Sequence, residues 1–124
     1  MTLNEYQQQA MTTCLPESEN FSYMMLNLAA EVGEIAGKVA KMIRKGQVKF
    51  DPDGELNIYY TEAETDDIRA REEELQKEAG DVLWQLSGLC SVMGWELDDI
   101  ARQNLQKLAD RQQRHVIDGS GDNR

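Results

Sequence analysis

The 124-residue chain is short of cysteine, proline, histidine, basic residues and long apolar runs. Each scarcity excludes something. The two cysteines, Cys14 and Cys90, have no C-x-x-C spacing, which argues against a disulfide framework or a paired-cysteine zinc site and points to a reducing compartment. No apolar stretch reaches the roughly 20 residues of a membrane helix, and Met1-Thr2-Leu3-Asn4-Glu5 carries no basic leader, so a cytoplasmic protein is expected. The single histidine, His115, has no Glu three residues before it. A di-iron carboxylate bundle, which needs paired E-x-x-H motifs, is therefore excluded, and His115 reads as a surface residue.

Basic residues number 13 against 23 acidic ones, for a formal charge of -10. Such a chain lacks the footprint of a nucleic-acid-binding protein. If its ligand is a polyphosphate, a divalent cation must stand between that ligand and the chain's own carboxylates.

What is present is helical periodicity. The length suits one domain, 1–124, and the pattern is all-α. A first helix is expected from Leu3 to Thr13, opened by a Thr2/Glu5 capping box and closed by Pro16. A second starts at Asn20 or Ser22, carries Leu28, Val32, Ile35, Val39 and Met42 on one face, and stops at Gly46. A third runs from about Asp67 to Met93, with Gly80 and Gly88 marking close helix approach, and a fourth covers about Leu97 to Arg114. Between the second and third, residues 46–66 form an insertion, a loop or small hairpin with a turn at Phe50–Glu55 and a strand at Leu56–Tyr60. Residues 118–124 are a polar tail. Apolar residues on more than one face of the bundle predict a homodimer or homotetramer.

The chemistry lies in two carboxylate pairs. Glu31 and Glu34 are three apart on the second helix, and Glu78 and Asp81 three apart on the third. Both pairs sit on the same side of their helix's apolar stripe, so an antiparallel hairpin brings all four together. Most helical glutamates simply make surface pairs such as Glu34 to Lys38. Four convergent carboxylates, however, repel unless a cation joins them, and an all-oxygen ligand set suits Mg²⁺ or Mn²⁺ rather than zinc. On the fourth helix Asn104, Lys107 and Arg111 fall within roughly 60° of one another beside the Leu97, Ala101, Leu105 and Leu108 stripe, pointing towards the bundle. They serve either charge balance or a grip on phosphate oxygens. Lys38, Lys41 and Lys45 continue the Glu31/Glu34 flank within reach of a phosphate. Trp84, Trp95, Tyr59 and Tyr60 offer faces for a nucleobase or for packing; Trp84 lies some 160° off the stripe and should meet another helix or subunit.

Three segments, Leu28-Ala29-Ala30-Glu31-Val32-Gly33-Glu34-Ile35-Ala36, Glu78-Ala79-Gly80-Asp81-Val82-Leu83-Trp84 and Asn104-Leu105-Gln106-Lys107-Leu108-Ala109-Asp110-Arg111, together resemble the MazG-like all-α nucleoside triphosphate pyrophosphohydrolases. The resemblance spans roughly residues 20 to 124. It implies a four-helix-bundle-like fold completed by oligomerisation and Mg²⁺-dependent cleavage of a nucleoside triphosphate to the monophosphate and pyrophosphate. It further implies Glu31, Glu34, Glu78 and Asp81 as metal ligands, with Asn104, Lys107, Arg111 and Lys41 on the substrate. Glu34 is the first candidate among the four carboxylates to take the proton from the attacking water. The insertion at 46–66 makes the spacing between the motif helices longer than in compact members. The competing reading is a non-catalytic helical oligomerisation module.

Overall fold

Local chemistry sets where each helix begins and ends in the computed structural model, which describes residues 1–58 and 65–123. The order is α1 (Leu3–Met11), a 3-10 turn (Pro16–Ser18), α2 (Phe21–Arg44), β1 (Val48–Phe50), β2 (Leu56–Ile58), α3 (Thr65–Val92) and α4 (Leu97–Gln113). Thr2 Oγ1 accepts the Glu5 amide at 3.0 Å while Glu5 Oε2 accepts the Thr2 amide at 2.7 Å, the reciprocal box expected of that spacing. Asn20 Oδ1 caps α2 by accepting the Tyr23 amide at 2.9 Å.

Three helices end in the same motif. After α2, the Gly46 amide donates to Ile43 O and the Gln47 amide to Met42 O; after α3, Gly94 donates to Ser91 O and Trp95 to Cys90 O. Both glycines have positive φ, 68° and 70°, the left-handed conformation this closure requires. After α4 the pattern repeats, His115 donating to Gln112 O and Val116 to Arg111 O, but here a histidine at φ 56° holds the position.

The insertion is a two-stranded antiparallel hairpin, Val48 opposite Ile58 and Phe50 opposite Leu56. Asp51 makes its turn: Oδ1 accepts the Asp53 and Glu55 amides at 3.1 and 3.0 Å, and Oδ2 accepts Asn57 Nδ2 at 3.0 Å. Of the expected strand Leu56–Tyr60, residues 56–58 are a strand, and Tyr59 and Tyr60 lie outside the described residues.

The centre of the fold is the antiparallel pair α2 and α3. Met24 faces Gly88, Glu31 faces Asp81 and Lys38 faces Glu74, a step of seven residues up one helix for seven down the other. That heptad step is the register of a coiled-coil-like seam. Met24 is fully buried, and a Cβ placed on Gly88 would stand 2.3 Å from its Sδ. Gly88 is thus the close approach expected of it. Gly80 is not: nothing lies within 4 Å of a Cβ there, because Gly80 falls off the seam.

α1 packs on α3 and α4. Trp84 Nε1 donates to Thr13 Oγ1 at 2.9 Å and to Ala10 O at 3.2 Å, so the off-stripe tryptophan meets another helix. Gln7, buried, donates to Ser91 Oγ and Trp95 O and accepts the Leu97 amide, all at 2.9 Å. Asn4 Oδ1 accepts the Asp98 amide at 2.9 Å. Glu96, the N-cap of α4, makes no capping bond of its own, so α1 supplies the acceptors that its first turn needs.

α4 departs from expectation. Leu97 is buried, but Leu105 and Leu108 on the same stripe are 66% and 41% exposed, because α4 packs chiefly on α1 and not along the α2–α3 pair. Leu26, Met25, Val32 and Leu86 are also exposed. Among the described residues no helix is long and apolar enough to cross a membrane. Cys14 and Cys90 are free thiols, and burial pushes both above their ordinary pKa, which keeps them protonated.

Candidate metal and phosphate site

Two turns along the seam from the Met24–Gly88 contact, carboxylate oxygens of Glu31, Glu78 and Asp81 lie within 4.8 Å of one another. Oxygens on opposite sides of one Mg²⁺ are about 4.2 Å apart, twice the ordinary bond length, so small side-chain rotations suffice to close this set on a cation. The donors are all hard oxygens, the chemistry that Mg²⁺ and Mn²⁺ select. Glu78 is buried, Glu31 half-buried and Asp81 exposed, an arrangement open to solvent on one side.

Glu34 stands outside this trio. It is exposed, and of the four predicted carboxylates it alone is not brought into the cluster, although its charge still bears on Glu31 and Lys38. Glu31 shows the cost of convergence. Burial pushes its carboxyl above the ordinary glutamate pKa, the charges of Asp81, Glu34 and Glu78 add to the shift, and a 3.0 Å hydrogen bond from Asn27 Nδ2 opposes it.

Lys38 edges the cluster. Its Nζ is 3.0 Å from Glu78 Oε1 and 3.9 Å from Glu74 Oε2, reaching across to α3 and not along α2 to Glu34. The hydrogen bond to Glu78, with the nearby acidic charges, holds its ammonium above the usual lysine pKa. Beyond Lys38 lies a cleft of about 460 Å³, lined by Lys38, Lys41, Met42, Lys45, Arg71 and Glu74 among others. The acidic cluster and this cationic cleft share Lys38, so they form one continuous surface.

Arg71 is a residue that the motifs did not point to. It precedes Glu78 by seven residues, two helical turns, so both fall on one face of α3; that spacing was the available signal. It is buried, in contrast to the exposed Lys41 and Lys45.

The α4 residues meet different neighbours. Arg111 is buried, and its Nη2 donates to Asp122 Oδ1 at 3.1 Å and to Asp122 O at 3.2 Å. Lys107 Nζ is 3.4 Å from the same carboxylate. Hydrogen bonds from Arg111 and Lys107, reinforced by their charges, hold Asp122 below the usual aspartate pKa. Arg111 Nε is buried with no partner among the described residues. Asn104 is exposed and lines a shallow cleft with Ile100, Gln103 and Lys107. Within one chain, then, the tail folds onto two of the three predicted substrate-gripping residues. Trp95 is 46% exposed at the α3–α4 turn.

An all-α fold with paired acidic motifs on two antiparallel helices defines a class, and comparison with known proteins identifies it. The model of the MazG nucleotide pyrophosphohydrolase domain matches residues 19–116, and the chain belongs to that family. It is similar to the Gene 37 protein of Mycobacterium phage L5, at 40% identity over 106 residues, covering 86% of this chain and 78% of the phage protein. No solved structure matches. Both motif helices and α4 lie inside the matched span; α1 lies outside it.

Proposed function

We propose that the chain hydrolyses nucleoside or deoxynucleoside triphosphates to the monophosphate and pyrophosphate, with Mg²⁺ or Mn²⁺ held by Glu31, Glu78 and Asp81 and with Glu34 beside them. The observation that carries this reading is the convergence of three carboxylates from two helices, within the span matched by a pyrophosphohydrolase family, next to a row of cations. The cation, when bound, lowers the pKa of water and offsets the charge on the phosphate oxygens.

The chain's own residues do the rest. Glu34, exposed at the rim, accepts the proton that the attacking water loses. The water oxygen bonds to the α-phosphorus, the bond from that phosphorus to the bridging oxygen breaks, and its electron pair leaves with pyrophosphate. Lys38 and Lys41, with Asn104, Lys107 and Arg111 once Asp122 gives way, neutralise phosphate charge. The exposed apolar residues of α2, α3 and α4 favour a homodimer or homotetramer in which α4 meets a second chain. The free cysteines suit a cytoplasmic site of action, and the net charge of -10 suits a protein with no nucleic-acid partner.

The test is a panel of NTPs and dNTPs with Mg²⁺ or Mn²⁺, scoring pyrophosphate and monophosphate. Glu31→Gln and Asp81→Asn should each abolish turnover and leave the helical circular dichroism intact. Near wild-type pyrophosphate release from both variants removes the trio from the reaction.

A further inference from the structure

Resting on that reading, we propose that the C-terminal tail carries a built-in competitor of the substrate: Asp122 occupies the anion site formed by Lys107 and Arg111, and a phosphate must displace it to bind there. Arg111 is the reason. Its side chain is 6% exposed, whereas the carboxylate that neutralises it is 84% exposed. A buried guanidinium left without an anion is strongly destabilising, so the position favours a negatively charged occupant. Among the described residues that occupant is Asp122.

The pairing is incomplete. Asp122 Oδ1, Asp122 O and Gly121 O all meet Arg111 Nη2, at 3.1, 3.2 and 3.4 Å, while the buried Nε has no partner among the described residues. The same Oδ1 also serves Lys107 Nζ at 3.4 Å. One carboxylate oxygen is thus shared between two cations and leaves a third donor idle. A terminal phosphate brings about -1.5 to -2 charge and three acceptor oxygens, enough to take the guanidinium as a fork and still reach the ammonium.

The tail can leave without dismantling the fold. Residues 114–123 contain turns and bends but no helix or strand, and 117–123 are all exposed. Gly121, at φ 79°, makes the bend that brings Asp122 back to α4. The strength of the competitor follows from its exposure. An ion pair with one solvated partner and one buried one favours the closed tail by about three- to tenfold, and the apparent affinity for a phosphate at this site falls by the same factor.

The experiment compares wild type, Asp122→Asn, Asp118→Asn and the double variant Asp122→Asn with Lys107→Gln. Calorimetry measures binding of inorganic pyrophosphate with a chelator present, at low salt and at about 0.5 M salt; kinetics measure KM for one nucleoside triphosphate with Mg²⁺. Asp122→Asn keeps the shape of the side chain and removes its charge. It should tighten pyrophosphate binding about three- to tenfold, lower KM in the same direction, and lose most of the advantage at high salt. Asp118→Asn removes the same charge from the same tail and should change binding by less than about twofold. Adding Lys107→Gln to Asp122→Asn should weaken binding severalfold, which locates the gain at this pair. Unchanged binding in Asp122→Asn, equal tightening in Asp118→Asn, or no effect of Lys107→Gln overturns the proposal. Weaker binding in Asp122→Asn overturns it too, and makes Asp122 a support for the arginine instead. Failure of the parent reading looks different: a chain that hydrolyses no nucleotide, yet binds pyrophosphate more tightly once Asp122 is neutral, loses the reaction and keeps the competitor.

Discussion

Gly88→Ala probes the contact that sets the register of the two motif helices. The new methyl would stand 2.3 Å from Met24 Sδ and 2.7 Å from its Cε, in a site where Met24 is fully buried. Overpacking of this kind costs about 1–3 kcal/mol. Against it, replacing a helix-interior glycine by alanine gains about 1 kcal/mol. The net expectation is a loss of up to about 2 kcal/mol, and the sharper measure is a double-mutant cycle. Met24→Ala alone should cost about 2–5 kcal/mol by leaving a cavity. In that background the clash is gone, so Gly88→Ala should turn stabilising by about 1 kcal/mol from helix propensity alone. Urea unfolding followed by far-ultraviolet circular dichroism, at one fixed protein concentration, measures all four states. A Gly88→Ala effect of the same sign and size in both backgrounds, additive within about 0.5 kcal/mol, would falsify the packing argument. The heptad step that follows from it, bringing Glu31 opposite Asp81, would then lack its anchor.

Two further outcomes are expected. Mg²⁺ should raise the melting temperature, by an amount equivalent to about 2.7 kcal/mol at a hundred times its Kd. The effect should grow with pH: the raised Glu31 pKa means that metal-free stability falls as pH climbs from the ordinary Glu value of about 4.3 through the higher folded value, while the ionised carboxylate is the form a cation needs. A Mg²⁺ shift independent of pH across that window removes Glu31 from the ligand set. His115→Gly should stabilise the fold by roughly 1 kcal/mol, because His115 holds φ 56° where a glycine pays no steric penalty; a loss of stability in thermal melts would mean that its side chain matters more than its backbone.

The helices were legible because their ends are written in local chemistry. Thr2 with Glu5, Asn20, Gly46 and Gly94 each do in space what their spacing implies. The antiparallel convergence of the motif helices was legible too, since angular offset from an apolar stripe is preserved when the stripes pack. What a face meets was not. Helical arithmetic separates Glu31 from Glu34 by about 60° but does not say which points inward, and only Glu31 joins Glu78 and Asp81. The same arithmetic groups Asn104, Lys107 and Arg111 without revealing that Asp122 folds back onto two of them. Arg71 stood in a run of mixed charge, Arg69-Ala70-Arg71-Glu72-Glu73-Glu74, that reads as a solvated surface until α2 is laid against it. Gly80 and Gly88 look alike in sequence; the heptad register alone distinguishes the glycine in the seam from the one beside it.

The first helix has a larger part than its nine residues suggest. Gln7 and Asn4 satisfy the opening amides of α4, and Trp84 ties the far end of α1 to α3. The angle at which Lys107 and Arg111 approach the rest of the molecule is therefore governed by a segment that belongs to neither motif and precedes the family-matched span. A change in that leading segment would move Lys107 and Arg111 without touching the α2–α3 seam that holds Glu31, Glu78 and Asp81 together.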